Sequence, residues 1–139
     1  MTRLDQLTTL RIGGPVGSLV DAASEQELVD TVRGADAAGT PVLVLGGGSN
    51  VVVSDDGFDG LVVRDARQEV SLVNDGACGG LTITATSGFR WDSLVAHAVE
   101  HEWSGFEALS GIPGSTGATP IQNVGAYGAQ VSDIVSSVR

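Results

Sequence analysis

The chain contains no lysine: its seven basic residues are all arginines, against 17 acidic ones, for a net charge of −10. A nucleic-acid interface needs clustered cations, and this chain has few to cluster. An anionic membrane surface is disfavoured on the same ground. Without lysine there is no Gly-Lys-Ser/Thr phosphate loop either. Cys78 is the single cysteine, which excludes an internal disulfide and a thiolate zinc cluster. No apolar run approaches the ~20 residues of a membrane helix. The opening stretch MTRLDQLTTL lacks the apolar centre of a secretory leader. A soluble, cytoplasmic protein is expected. Any anionic ligand must be held by backbone N–H groups, hydroxyls, amides or a few arginines.

What the chain does have is glycine, 20 residues of it, within a 42% hydrophobic composition that can still bury a core. The pattern predicts a short strand over Thr8–Gly14. An amphipathic helix follows over Ser24–Ala38, opened by Ser24 and Glu27 as a capping box. Its apolar stripe is Leu28, Val29, Val32 and Ala35. Gly39 and Pro41 stop it. Strands are expected at Val42–Leu45, Val51–Val53 and Leu61–Arg64. Further strands, EVSLV and LTITATSG, flank the turn NDGACGG, and Leu81, Ile83 and Ala85 alternate with threonines. A second helix is expected over Trp91–Glu102, with Leu94, Val95, Ala98 and Val99 as its stripe. A glycine-rich stretch follows, and Val138 and Arg139 read as the opening of another strand, as if the chain were a fragment.

Two stretches carry candidate chemistry. In PVLVLGGGSNVVV a strand runs into Gly46, Gly47, Gly48, Ser49 and Asn50. Glycines let another molecule approach the backbone, and successive N–H groups can form an anion-binding nest. Val51 stands where the dinucleotide fingerprint needs a third glycine, and a strand rather than a helix is expected next, so ordinary Rossmann geometry is not expected. A tight hairpin with glycines chosen for shape is the competing reading. In SGIPGSTGATPIQNVGAYG, glycine alternates with small and neutral hydrogen-bonding residues, stiffened by Pro113 and Pro120. That mixture suits a backbone-lined wall around a flat polar ligand; the alternative is a long buried turn.

These motifs, with TTLRIGG, closely resemble the UDP-N-acetylenolpyruvoylglucosamine reductase (MurB) family of peptidoglycan precursor synthesis, from about Leu7 to Arg139. The resemblance implies an α/β (α+β) architecture: the two-lobed FAD-binding fold of the vanillyl-alcohol-oxidase (PCMH) type, here truncated. Residues 1–66 would form the first lobe and 67–139 the first part of the second, with the remainder and the substrate-binding domain absent. It implies that Gly46, Gly47, Gly48, Ser49 and Asn50 hold the FAD pyrophosphate. Gly111, Ile112, Pro113, Gly114, Ser115, Gly117, Ala118 and Thr119 match the second-lobe loop along the cofactor. Ile121, Gln122, Asn123, Val124, Gly125, Ala126 and Tyr127 continue that wall toward the flavin. Arg11 and Gly13, in the first strand block, would flank the cofactor.

The family reaction passes hydride from NADPH to FAD and then to the enolpyruvyl double bond of a nucleotide sugar, giving UDP-N-acetylmuramate. Its proton donor, a serine assisted by an arginine and a glutamate, lies in segments beyond the matched part. No catalytic residue is therefore assigned here, and the 139-residue span is expected to be inactive alone. FAD is expected to be non-covalent, since neither histidine falls in a glycine loop. The oligomeric state is not legible. Two alternatives stand beside this reading: an FAD-dependent oxidase of the same fold acting on another small molecule, and a flavin-binding or interaction module without catalysis.

Other signals read as structural. His97, Glu100 and His101 spell H-x-x-E-H, the inverted zincin pattern. Both histidines lie off the apolar stripe and no third ligand segment follows, so two solvent-facing histidines and no metal are expected. Trp91 and Trp103 are expected as core anchors. Asp55, Asp56 and Asp59 read as a solvated turn, lacking the spaced oxygen ligands of a calcium loop.

Overall fold

Local signals start the first helix where the sequence places it. In the computed structural model, which describes residues 2–73 and 81–139, Ser24 caps a helix α1 over Glu25–Ala37 by accepting from the Glu27 N–H at 3.1 Å. The Glu27 carboxylate reaches back one residue further than a standard capping box, to the Ala23 N–H at 2.8 Å. Ala35 is buried and Leu28, Val29 and Val32 are half-buried, as the stripe requires.

The chain divides into two units, Met1–Arg67 and Gln68–Arg139. The first is a parallel sheet of β1 (Val16–Ala22), β2 (Val42–Val44) and β3 (Phe58–Asp65), in the order β1-β3-β2. Central β3 carries Leu61, Val62 and Val63, all buried, the continuous apolar run that a two-sided parallel strand needs. Val62 joins Leu4, Val16 and Leu45 in one core cluster, and α1 packs on the strands. At the carboxyl ends of β1 and β3, Arg64 grips Asp21 with two bonds, Nε–Oδ1 at 2.5 Å and Nη2–Oδ2 at 2.7 Å. Arg67 likewise forks onto Asp65, whose side chain is only 7% exposed.

Two expectations fail in this unit, and one strand was not foreseen. Thr8–Gly14 is a turn, not a strand: the Thr8 hydroxyl donates to the Ile12 carbonyl at 2.9 Å and Arg11 takes φ +54°. A hydroxyl that bonds its own backbone competes with a ladder. The first strand lies instead at Val16–Ala22. Its pairing partner is 42 residues away at Val16↔Phe58, and its register shifts between Val16 and Ser18, at Gly17. Val51–Val53 alternates in burial, Val51 and Val53 packing on the core and Val52 75% exposed, but it is in no ladder among the described residues.

The second unit is antiparallel and loop-rich. β4 (Val70–Val73) pairs with β5 (Thr82–Ala85); the turn NDGACGG between them, with Cys78, lies outside the described residues. Leu81 is 47% exposed and precedes β5, and Thr86 is half-buried, so the expected alternation holds only over Ile83–Ala85. Helix α2 (Trp91–Glu100) ends two residues earlier than expected. Its buried stripe is Trp91, Leu94, Val95 and Ala98; Val99 is 51% exposed, and Trp91 holds the place assigned to it. Trp91 is 2% exposed and its Nε1–H donates to the Leu109 carbonyl at 3.0 Å, so this aromatic is a core anchor. A single 3-10 turn follows at Glu107–Leu109 and a two-turn 3-10 helix at Thr116–Ile121. A hairpin of β6 (Gly125–Ala126) and β7 (Ala129–Gln130) comes next, then a last 3-10 turn at Val131–Asp133. Residues 135–139 belong to no strand, contrary to expectation.

Candidate functional site

The glycine loop follows the carboxyl end of β2, the end at which open parallel sheets receive ligands. Leu45 extends the ladder by donating to the Val63 carbonyl at 2.9 Å, and the chain then bends through Gly46–Asn50. Gly48 is the buried member: φ is +70°, its carbonyl accepts from Thr9 N–H at 2.9 Å, and a Cβ there would overlap the Leu7 carbonyl oxygen. That docking turns Gly46 and Gly47 outward. Both are exposed, and their N–H groups donate to no described residue. Ser49 is half-buried and Asn50 exposed beside them. The loop therefore presents neutral backbone donors, the donor set a diphosphate needs in a chain without lysine. Arg11 lies two residues beyond Thr9 in the turn packed on Gly48, and Gly13 is buried at φ +127° against Leu4.

The second stretch is pinned to the elements before it. The Asp92 carboxylate in the first turn of α2 accepts from the Gly111 N–H at 2.7 Å and the Ser110 hydroxyl at 3.2 Å. Trp91 N–H donates to the Gly114 carbonyl at 3.0 Å, and Arg90 and Ser115 form an isolated antiparallel bridge. The Thr116 N–H and hydroxyl both donate to the Phe89 carbonyl, at 2.7 and 2.9 Å. Gly117 N–H donates to Ser87, and a Cβ on Gly117 would overlap the Ser87 side chain.

These bonds sort the expected wall residues. Ser115, Thr119 and Val124 are buried; Thr119 donates its hydroxyl to the Thr116 carbonyl at 2.8 Å, and Val124 sits in the core with Trp91. Ile112 packs on that core, and Gly114, Gly117, Ala118 and Ala126 are half-buried. Gly111, Pro113, Ile121, Gln122, Asn123, Gly125 and Tyr127 are exposed. Asn123, at φ +48°, donates to Gln130 at 2.9 Å and accepts from the Ser132 N–H at 3.0 Å, so its side chain braces the hairpin. Tyr127 and Gly128, at φ +53° and +84°, form the two-residue turn, and both angles suit a type I′ hairpin. That turn holds Tyr127 95% exposed, while Ile121 is 84% exposed. Asp92, Ser87 and Phe89 shape this stretch without being legible as site residues; an acid in a helix's first turn was the one signal available.

A sequence profile described as the FAD binding domain matches residues 17–139. The chain belongs to the FAD binding domain family. FAD is accordingly the cofactor of this family member, and its fold is the family's mixed α and β architecture. Among curated relatives, the UDP-N-acetylenolpyruvoylglucosamine reductase of Cutibacterium acnes is 54% identical over 136 residues, covering 98% of this chain and 36% of the relative. That of Nocardia farcinica is 53% identical over 137 residues, covering 99% and 34%. The crystal structure of the reductase (MurB) from Thermus caldophilus superposes with a TM-score of 0.69 at 28% identity, covering 95% of this chain and 44% of that one. This FAD binding domain thus spans about a third of the length of the curated relatives it matches.

Proposed function

We propose that this chain is the cofactor-holding portion of a UDP-N-acetylenolpyruvoylglucosamine reductase, working in the cytoplasm with NADPH and a nucleotide-sugar enolpyruvyl ether. The observation that carries the reading is the outward pair Gly46 and Gly47 on a loop anchored through Gly48, together with similarity to reductases along nearly the whole chain. Gly46 and Gly47 would donate to the FAD diphosphate, with Ser49 and Asn50 beside them. Residues 1–66 and 67–139 would serve as the first FAD lobe and the start of the second. In the second lobe, the exposed backbone at Gly111, Pro113, Gln122 and Gly125 would line the cofactor. Ile121 and Tyr127 would offer it apolar surface, and a buried Ser115, Thr119 and Val124 would hold that backbone in place.

When bound, FAD supplies the hydride chemistry. The protein's part in this span is to bind, orient and exclude water. Among the described residues no helix is long and apolar enough to cross a membrane. The test is titration of the chain with FAD, read by quenching of flavin fluorescence, followed by NADPH-dependent reduction of the enolpyruvyl substrate. Saturable FAD binding without turnover is expected. Absence of FAD binding by a folded chain would contradict the cofactor role, and robust turnover would contradict the confinement of catalysis to other segments. A chain that binds FAD and oxidises a small alcohol would favour the oxidase alternative.

A further inference from the structure

The last turn of α2 gathers three groups that the cofactor role does not use. His97, Glu100 and His101 each offer a ligand atom, and these atoms lie within 4.8 Å of one another. The two imidazole centroids are 4.1 Å apart. Two nitrogens on a tetrahedral ion, each at about 2.0–2.1 Å, sit about 3.3 Å from each other. Small side-chain rotations therefore close the gap.

We propose that His97, Glu100 and His101 form a surface site for a divalent late first-row transition metal of the zinc and copper class. His101 Nδ1 lies 2.8 Å from the His97 carbonyl oxygen. A carbonyl only accepts, so Nδ1 carries the proton and Nε2 is left to ligate. A metal-bound histidine typically has this arrangement, its second nitrogen donating to backbone. His97 is half-buried, its ring packed edge-on against Trp103 at 5.3 Å, and His101 lies 5.0 Å from the same indole. His101 is exposed as expected, whereas His97 is half-buried, and both rings rest against the same indole before any ion arrives. The site lies at the helix C-terminus, where the backbone dipole favours a cation, and Glu100 adds a negative ligand. Imidazole and carboxylate together suit zinc, nickel and copper rather than magnesium or calcium. With three protein ligands, water completes the shell.

The test uses the full 139-residue chain without an affinity tag. Cu²⁺ is titrated while tryptophan emission is followed, and Zn²⁺ binding is measured by calorimetry. One equivalent of Cu²⁺ is expected to quench Trp103 saturably, and a large excess of Zn²⁺, which does not quench, is expected to compete it off and restore emission. Affinity should rank copper above nickel and copper above zinc. The double variant His97→Gln/His101→Gln should bind Zn²⁺ at least about tenfold more weakly with an unchanged circular dichroism spectrum. Trp103→Phe should lose the quenching yet keep the calorimetric signal. Should the double variant misfold, the exposed single variant Glu100→Gln is measured instead and must weaken Zn²⁺ binding. Zn²⁺ bound as tightly by the variants as by the parent, or not bound saturably by the parent, overturns the site.

Discussion

Glycine does two different jobs in this molecule, and the two units weight them differently. In the first, a Cβ on Gly14, Gly48 or Gly57 would overlap a backbone oxygen of Asp55, Leu7 or Pro15, so these glycines exist to let chains touch. In the second, Gly111 and Gly128 have positive φ with nothing within 4 Å of a built Cβ, so they serve conformation alone. Gly117 in the second unit is also a close approach, and Gly39 in the first serves conformation. The first unit is close-packed backbone around a parallel sheet. The second is a set of turns tied by side chains to a core built around Trp91. A glycine-rich composition therefore does not report one kind of loop. The diphosphate role we propose falls to the place where a packed glycine has exposed neighbours.

Substitutions can break this contrast. Trp91→Ala removes the anchor of the second unit and the donor to Leu109, and about 4 kcal/mol of stability should be lost in urea unfolding. Gly48→Ala should cost about 3 kcal/mol, combining left-handed strain with the clash at Leu7. Gly128→Ala, strained but in open space, should cost only about 1 kcal/mol. Equal losses at Gly48 and Gly128 would erase the distinction. Asp92→Ala should cost about 1 kcal/mol by releasing the Gly111 N–H and the Ser110 hydroxyl. It should also loosen the Gly111–Gly114 segment, seen as faster amide exchange there.

The smallest effect concerns pH. The hydrogen bond from Arg64 holds the Asp21 carboxyl below its ordinary value of 3.8. A carboxylate lowered in the folded state adds stability above its unfolded value and loses it as pH falls through the folded one. Stability should thus drop below about pH 4 by less than about 1 kcal/mol, because the pair is partly exposed. Asp21→Asn should flatten that part of the profile. The Glu107 carboxylate, which accepts from its own N–H and that of Gly105, is lowered in the same direction.

Features set by neighbouring residues were legible. Ser24 and Glu27 announce α1, and the run Leu61–Val63 announces a doubly buried strand. Features set by distant partners were not. β1 contains Gly17 and Ser18 and forms because β3, far along the chain, supplies its ladder. Val51–Val53 has the alternation of a strand, but β1 and β2 already occupy both edges of β3. At the candidate site, the glycines could be read in advance, whereas the inward turn of Ser115, Thr119 and Val124 could not. Their burial depends on Phe89, Trp91 and Asp92, which fix that backbone from another element.

The central claim is that main-chain amides at Gly46 and Gly47 hold a diphosphate in a chain without lysine. Parallel fluorescence titrations with FAD and with riboflavin, which shares the ring but lacks the diphosphate, test it most directly. FAD is predicted to bind at least about tenfold more tightly, the worth of one charge-assisted hydrogen bond of about 1.5 kcal/mol or more. Equal affinity for the two flavins would contradict the account.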